Sequence, residues 1–110
     1  MTRHIERYGV YLAELDPTRG SKIAKTRPVV IVSPEAMNVH LDTAVVCPLT
    51  TSLHPRWRSR IQCSCAGRKA EIAVDQIRTL SKERLGKRVD RLDPQQTGQL
   101  RRLITEMYGE

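Results

Sequence analysis

The chain has 110 residues, 39% of them hydrophobic and 28% charged, which fits one compact domain over residues 1–110 and argues against a disordered tail. No apolar run approaches the ~20 residues that span a bilayer, and the charged opening Met1-Thr2-Arg3-His4-Ile5-Glu6-Arg7 lacks the apolar core of a secretion signal, so a cytoplasmic protein is expected. Nineteen Lys plus Arg against twelve Asp plus Glu leave +7, a surplus that suits a polyanionic partner or a merely solvated surface.

The charge is uneven. Positions 1–57 hold seven basic and five acidic residues, and the rest hold twelve and seven. The first predicted strand is Tyr8–Leu15, whose alternation at Tyr8, Val10 and Leu12 suits half-burial. Asp16-Pro17-Thr18-Arg19-Gly20 breaks it, and residues 18–26 read as an exposed loop. Pro28-Val29-Val30-Ile31-Val32 carries an unbroken β-branched run, the pattern of a strand buried on both faces. Ser33 reads as the cap of a short helical turn beginning at Pro34. Thr43–Cys47 is a further buried strand that Pro48 is expected to end.

A polar, basic stretch from Thr50 to Arg60 leads to a strand at Ile61–Cys65, and strand character resumes over Glu71–Val74, running into Asp75-Gln76. Ser81 caps a short helix through Leu85, stopped by Gly86, and Val89–Leu92 is a short strand. The last element is a helix with Asp93 at its N-cap, Pro94 at its first position and Gln96 completing a capping box. Leu100, Leu103, Ile104 and Met107 share its inner face, and Gly109 marks the exit. Short strands followed by one amphipathic helix make a small, mainly β member of the α+β class, arranged as a twisted, partly closed antiparallel barrel.

Cys47, Cys63 and Cys65 are an odd set without a secretion signal, which argues against a disulfide framework. The Cys63-Ser64-Cys65 spacing does not match a zinc knuckle, so buried thiols are expected and neither metal nor cofactor. There is no phosphate loop and no catalytic-triad pattern. Polar residues at strand ends remain: Arg27, Thr50 and the pair Asp75-Gln76. A guanidinium can grip a phosphodiester and a hydroxyl can donate to the same oxygens, while RNA supplies its own 2′-OH nucleophile. On the residues alone, the plainer readings are favoured, Arg27 as a surface charge flanking a proline and Thr50 as an ordinary turn residue.

His54-Pro55-Arg56-Trp57-Arg58-Ser59-Arg60 interleaves the chain's one tryptophan with three arginines. That composition suits single-stranded nucleic acid. If extended, the segment puts Arg56, Arg58 and Arg60 in a row on one face and Trp57 on the other. Trp57 then either stacks on a base or anchors the strand to a core or dimer interface.

The order of motifs resembles the MazF/PemK family of toxin endoribonucleases from toxin–antitoxin systems. The resemblance rests on Tyr8-Gly9-Val10-Tyr11-Leu12-Ala13-Glu14-Leu15-Asp16-Pro17-Thr18-Arg19-Gly20-Ser21 and Thr26-Arg27-Pro28-Val29-Val30-Ile31-Val32-Ser33. It continues through Asn38, Pro48-Leu49-Thr50-Thr51 and Val74-Asp75-Gln76-Ile77-Arg78-Thr79. It implies an SH3-like barrel with a C-terminal helix, a homodimer, a cognate antitoxin as partner, and metal-independent cleavage of single-stranded RNA to 2′,3′-cyclic phosphate and 5′-hydroxyl ends. Arg27 and Thr50 match the family's catalytic positions. The same resemblance implies RNA contacts at Ser21, Lys22, Lys25, Thr51, Asp75 and Gln76, beside those expected of Arg56, Trp57 and Arg58.

Two departures stand out. Lys22-Ile23-Ala24-Lys25 replaces an acidic-glutamine-glycine stretch of many members, and Ala73 stands where some carry an arginine. A non-nuclease barrel toxin acting on DNA gyrase, or a non-catalytic nucleic-acid-binding module, stays open at this point.

Overall fold

The β-branched run Val29-Val30-Ile31 forms the centre of the sheet, each residue wholly buried. The structure, a computed structural model, describes residues 4–15 and 26–109. Its elements in order are β1 Gly9–Glu14, β2 Thr26–Ile31, α1 Glu35–His40, β3 Thr43–Thr50, β4 Arg60–Cys65, β5 Arg68–Ala73, β6 Arg78–Ser81, β7 Leu85–Arg91 and α2 Pro94–Tyr108. The turn expected at Asp16–Gly20 and the loop through Lys25 lie outside the described residues, and Thr26, read as loop, opens β2.

All strand pairings among the described residues are antiparallel, in the order β4-β5-β3-β2-β1-β7, with β6 also on β3. β3 meets β6 over residues 43–46 and then β5 over 49–50, while β2 lies on its other edge. One strand with two successive neighbours on an edge curls the sheet into a half-barrel. Pro48 therefore does not end the strand as expected. It falls at the handover between β6 and β5, where a missing N–H can be tolerated.

Period-two alternation divides the buried side chains between two clusters. Val30, Cys47, Leu49 and Ile72 join one, onto which α2 packs Leu100, Leu103, Ile104 and Met107. Val29, Ile31, Ala44, Val46, Leu80 and Leu85 join the other. β1 contributes to both, Val10 to the first and Tyr11 and Ala13 to the second. It is thus buried on both faces, not half-buried, because β2 and β7 flank it and both layers cover it.

Local chemistry explains the remaining boundaries. Cys65 and Arg68 close the β4–β5 hairpin across Ala66 and Gly67, whose φ values of 51° and 81° are those of a two-residue primed turn. Ser33 does not cap α1; its hydroxyl donates to Asn38 Oδ1 and accepts from the Val45 amide, and Pro34 takes the cap position. Ser81 does cap a turn, a 3-10 turn at Lys82–Arg84, through the Glu83 amide. Gly86 stops nothing. It lies within β7, where a Cβ would come 3.2 Å from the Leu12 carbonyl oxygen. Asp75 and Gln76 sit on a 3-10 turn, Val74–Gln76, and not on a strand end.

The expected capping box of α2 is formed, with Gln96 N donating to Asp93 Oδ1 at 2.8 Å and Asp93 N to Gln96 Oε1 at 3.3 Å. At the far end of α2, the Tyr108 hydroxyl donates to the Val74 carbonyl at 2.9 Å, although the residue is 50% exposed. Among the described residues no helix is long and apolar enough to cross a membrane.

Candidate functional site

Arg27 and Thr50 are brought together by strand register. Val29 faces Pro48 across the β2–β3 ladder, and two further steps along each strand set Arg27 across from Thr50. Both residues continue the face that carries Val29, Ile31, Ala44 and Val46. They stand at the end of that buried face, Arg27 exposed and Thr50 half-buried.

A cavity of about 400 Å³ opens there, lined by Leu15, Arg27, Pro48, Leu49, Thr50, Gln76 and Arg78. A second, of about 320 Å³, shares Arg27, Leu49 and Thr50 and adds Thr51 and Arg68 among its walls. The expected catalytic pair thus stands on the wall common to two cavities. Thr50 Oγ1 accepts from the Ser52 amide at 3.1 Å. That bond orients the hydroxyl and leaves its proton free to be donated elsewhere.

Arg78 is a member of this site that sequence reasoning did not single out, although it stands in the quoted Asp75–Thr79 motif. It follows the 3-10 turn as the first residue of β6, two places before the buried Leu80, so it shares the face of that residue. Its Nη1 donates to the Leu15 carbonyl at 3.1 Å, which fixes the guanidinium at the cavity wall. The site therefore holds two guanidinium groups, one hydroxyl and the Gln76 amide.

The basic segment departs from its expected form. Residues 54–59 are turns and not an extended strand, with the Trp57 amide on the His54 carbonyl at 2.9 Å and the Arg60 amide on the Trp57 carbonyl at 3.3 Å. Arg56 and Arg58 are exposed, but Arg60 turns inward and its side chain is 5% exposed. The row of three arginines does not form.

Trp57 is 47% exposed, which rules out the reading as an anchor in this chain's core. Its ring is nevertheless engaged. His54 stacks on it at 3.8 Å and 9°, and the Arg60 guanidinium carbon lies 4.7 Å from its centroid.

Arg60 turns inward because two carboxylates hold it. Its Nε donates to Asp75 Oδ1 at 2.9 Å and its Nη1 to Glu71 Oε1 at 3.3 Å. Glu71 is wholly buried in β5 and was missed from sequence. Its Oε2 also accepts from the His54 amide at 2.7 Å and from Gln62 Nε2 at 2.6 Å. Burial pushes the Glu71 carboxyl up, but hydrogen bonds from Gln62, the His54 amide and Arg60 outweigh it and hold the group below the ordinary range. Burial likewise raises Asp75, and hydrogen bonds from Arg60 and Ser59 bring it below the ordinary value. Gln62 faces Glu71 in the β4–β5 ladder, so reading Ala66-Gly67 as a hairpin turn would have exposed this pairing.

Cys47 and Cys65 are buried as expected, whereas Cys63 is only half-buried. Cys47 is buried in β3, and burial, then the Asp75 charge, push it up to about 12. Burial, then neighbouring negative groups, push Cys63 up to about 11. Neither supplies a thiolate nucleophile at neutral pH. Of the residues expected to touch RNA, Thr51, Arg56, Trp57, Arg58, Asp75 and Gln76 are exposed, and Thr51 and Gln76 line the cavities. Ser21, Lys22 and Lys25 lie outside the described residues.

Residues 6–108 match the model of a family described as PemK-like, MazF-like toxin of type II toxin–antitoxin system. A protein named Endoribonuclease MazF, from Staphylococcus epidermidis, is 34% identical over 86 residues, which cover 74% of this chain and 72% of that protein. Among solved structures, an endoribonuclease in complex with its cognate antitoxin from Mycobacterial species has a TM-score of 0.79 at 23% identity, covering 94% of this chain and 93% of that one. A MazE–MazF structure from Deinococcus radiodurans has a TM-score of 0.81 at 17% identity, covering 97% of each chain. The structural likenesses establish the curled sheet with a C-terminal helix.

Proposed function

The chain belongs to the PemK-like, MazF-like toxins of type II toxin–antitoxin systems, and we propose that it cleaves single-stranded RNA without a metal, using Arg27 and Thr50. The observation that carries this reading is that Arg27 and Thr50, on the adjacent strands β2 and β3, both line each of two cavities.

The chemistry follows from the groups present. The 2′-oxygen forms its bond to phosphorus as the bond to the 5′-oxygen breaks. The 2′-hydroxyl proton leaves and the departing 5′-oxygen takes one up, giving a 2′,3′-cyclic phosphate and a 5′-hydroxyl. Arg27 assists that proton transfer and stabilises the negative charge gathering on the non-bridging oxygens. Arg78 adds a second fixed positive charge to the same cavity, and the free O–H of Thr50 donates to the same oxygens. Thr51, Arg56, Trp57 and Arg58 guide the strand, and Gln76 meets a base. Asp75 contributes through Arg60. Ser21, Lys22 and Lys25 are proposed RNA contacts on sequence resemblance alone.

We assign a cytoplasmic homodimer as the working form, with a cognate antitoxin as its partner. That the antitoxin obstructs RNA through an acidic segment is supported by the +7 charge. The test is a long single-stranded RNA incubated with the protein in excess EDTA, followed by analysis of product ends. Cyclic-phosphate ends support the reading. Intact RNA overturns it, and gyrase inhibition in the same preparation would assign the non-nuclease alternative.

A further inference from the structure

The side chains around Arg60 form one connected knot. Its guanidinium spans Asp75 at 2.9 Å and Glu71 at 3.3 Å while lying 4.7 Å from the Trp57 ring centroid. The His54 ring stacks on the same indole, 3.8 Å from its centroid and nearly parallel to it, so both groups engage Trp57, which stays 47% exposed. Glu71 roots the knot, because it also holds the His54 amide and Gln62, and its backbone faces Thr50 in the β3–β5 ladder.

We propose that Arg60 is a positioning residue of the cleavage site, fastening the 52–59 segment to the Val74–Gln76 turn, and that its hold on Asp75 leaves Gln76 as the base-reading member of that pair. The inference rests on the nuclease reading above. Asp75 accepts from both Arg60 and Ser59, so turning it toward a base would release the segment that carries Trp57. Gln76 lines the 400 Å³ cavity beside Arg27 and Thr50, and its amide offers a base edge both a donor and an acceptor. Through the Thr50–Glu71 ladder step, the knot sets where Arg56 and Arg58 stand relative to the reacting phosphate.

The test compares wild type with Arg60→Met, Arg60→Lys, Asp75→Asn and the double variant Arg60→Met/Asp75→Asn. Four readouts are taken: the emission of Trp57, kcat and KM on single-stranded RNA, the distribution of cut sites, and the salt dependence of RNA binding. Trp57 is the chain's one tryptophan, so its emission reports on the knot alone. Arg60→Met and Asp75→Asn are each expected to shift that emission and to lower kcat by about tenfold to a hundredfold, the scale of a small misplacement of reacting groups. KM should change little, the double variant should be no worse than the worse single one, and Arg60→Lys should recover part of the loss. Gln76→Ala, and not Asp75→Asn, should change which sequences are cut.

A changed cut-site distribution in Asp75→Asn with unaltered Trp57 emission would show that Asp75 reads a base itself. A salt slope shallower by about 0.7 in Arg60→Met, again with unaltered emission, would make Arg60 a direct phosphate contact. Either result overturns the proposal, as does wild-type kcat in folded Asp75→Asn. If Arg60→Met fails to fold because Glu71 loses its cation, Asp75→Asn decides alone, since that side chain is 32% exposed and the change keeps its shape. If wild type cuts no RNA, the nuclease reading falls, while the emission and salt-slope readouts still decide whether Arg60 fastens the segment.

Discussion

Two neighbouring regions present functional side chains by different means. Arg27 and Thr50 sit on adjacent strands whose backbone ladder sets their separation. Trp57, Arg56 and Arg58 sit on turns whose position depends on one buried carboxylate and the cation it holds. The ladder survives the loss of any one side chain. The knot does not, because its bonds converge on Glu71 and Arg60. A ladder-set candidate reaction centre and a dependent wall of proposed RNA contacts are thus built side by side in 110 residues.

The sharpest way to break this contrast is Glu71→Ala. Removing Glu71 leaves Arg60 with Asp75 alone and the His54 amide and Gln62 without their acceptor, and breaking a buried ion pair costs up to about 3–5 kcal/mol. Chemical denaturation should show a loss of that order, with altered Trp57 emission in the fraction that stays folded. Unchanged stability would mean that water replaces the carboxylate and that the knot is not a support.

Arg27→Ala tests the other side. Loss of a preorganised charge at the transition state costs about a hundredfold or more in rate, while the exposed side chain leaves the ladder intact. Cleavage should collapse with an unchanged melting temperature; near-normal turnover would remove Arg27 from the mechanism. Thr50→Ala should lower kcat less, and a loss confined to KM would make Thr50 a binding group.

Acid separates the two regions without mutation. Glu71 and Asp75 have folded-state values below the ordinary carboxylate range. Their stabilisation is therefore complete above the unfolded-state values and is lost as pH falls through the lowered folded ones. Trp57 emission should change along that acid limb, and Glu71→Gln should flatten it. An identical limb in Glu71→Gln would assign the titration elsewhere.

The smallest effect belongs to the exposed arginines. Arg56→Gln or Arg58→Gln should weaken binding to unrelated RNAs alike and flatten the log–log salt dependence by about 0.7 per lost phosphate contact. A changed cut sequence with an unchanged slope would show instead that these side chains read bases.

The contrast also governs what could be read in advance. Val29-Val30-Ile31 and the Asp93–Gln96 box are local patterns, and each forms the element it implies. Arg27 and Thr50 were legible through motif order, since each flanks a strand of recognisable composition. Pro48 misled because a proline's tolerance depends on which neighbour its strand has at that step, and that is a long-range fact. Glu71 and the inward turn of Arg60 were hidden for the same reason. Alternation within residues 54–60 puts the arginines in a row, but carboxylates 11 and 15 residues further along draw Arg60 away.

The hydrogen bond from Tyr108 to the Val74 carbonyl gives the end of α2 a mechanical connection to the turn that bears Gln76. The phenol is half open to solvent, while the carbonyl it holds precedes Asp75 directly. A load applied to the helix terminus has a transmission path one bond long before it reaches the cavity rim. Cutting that path with Tyr108→Phe would uncouple the terminus from the rim while leaving the helix and its cap in place.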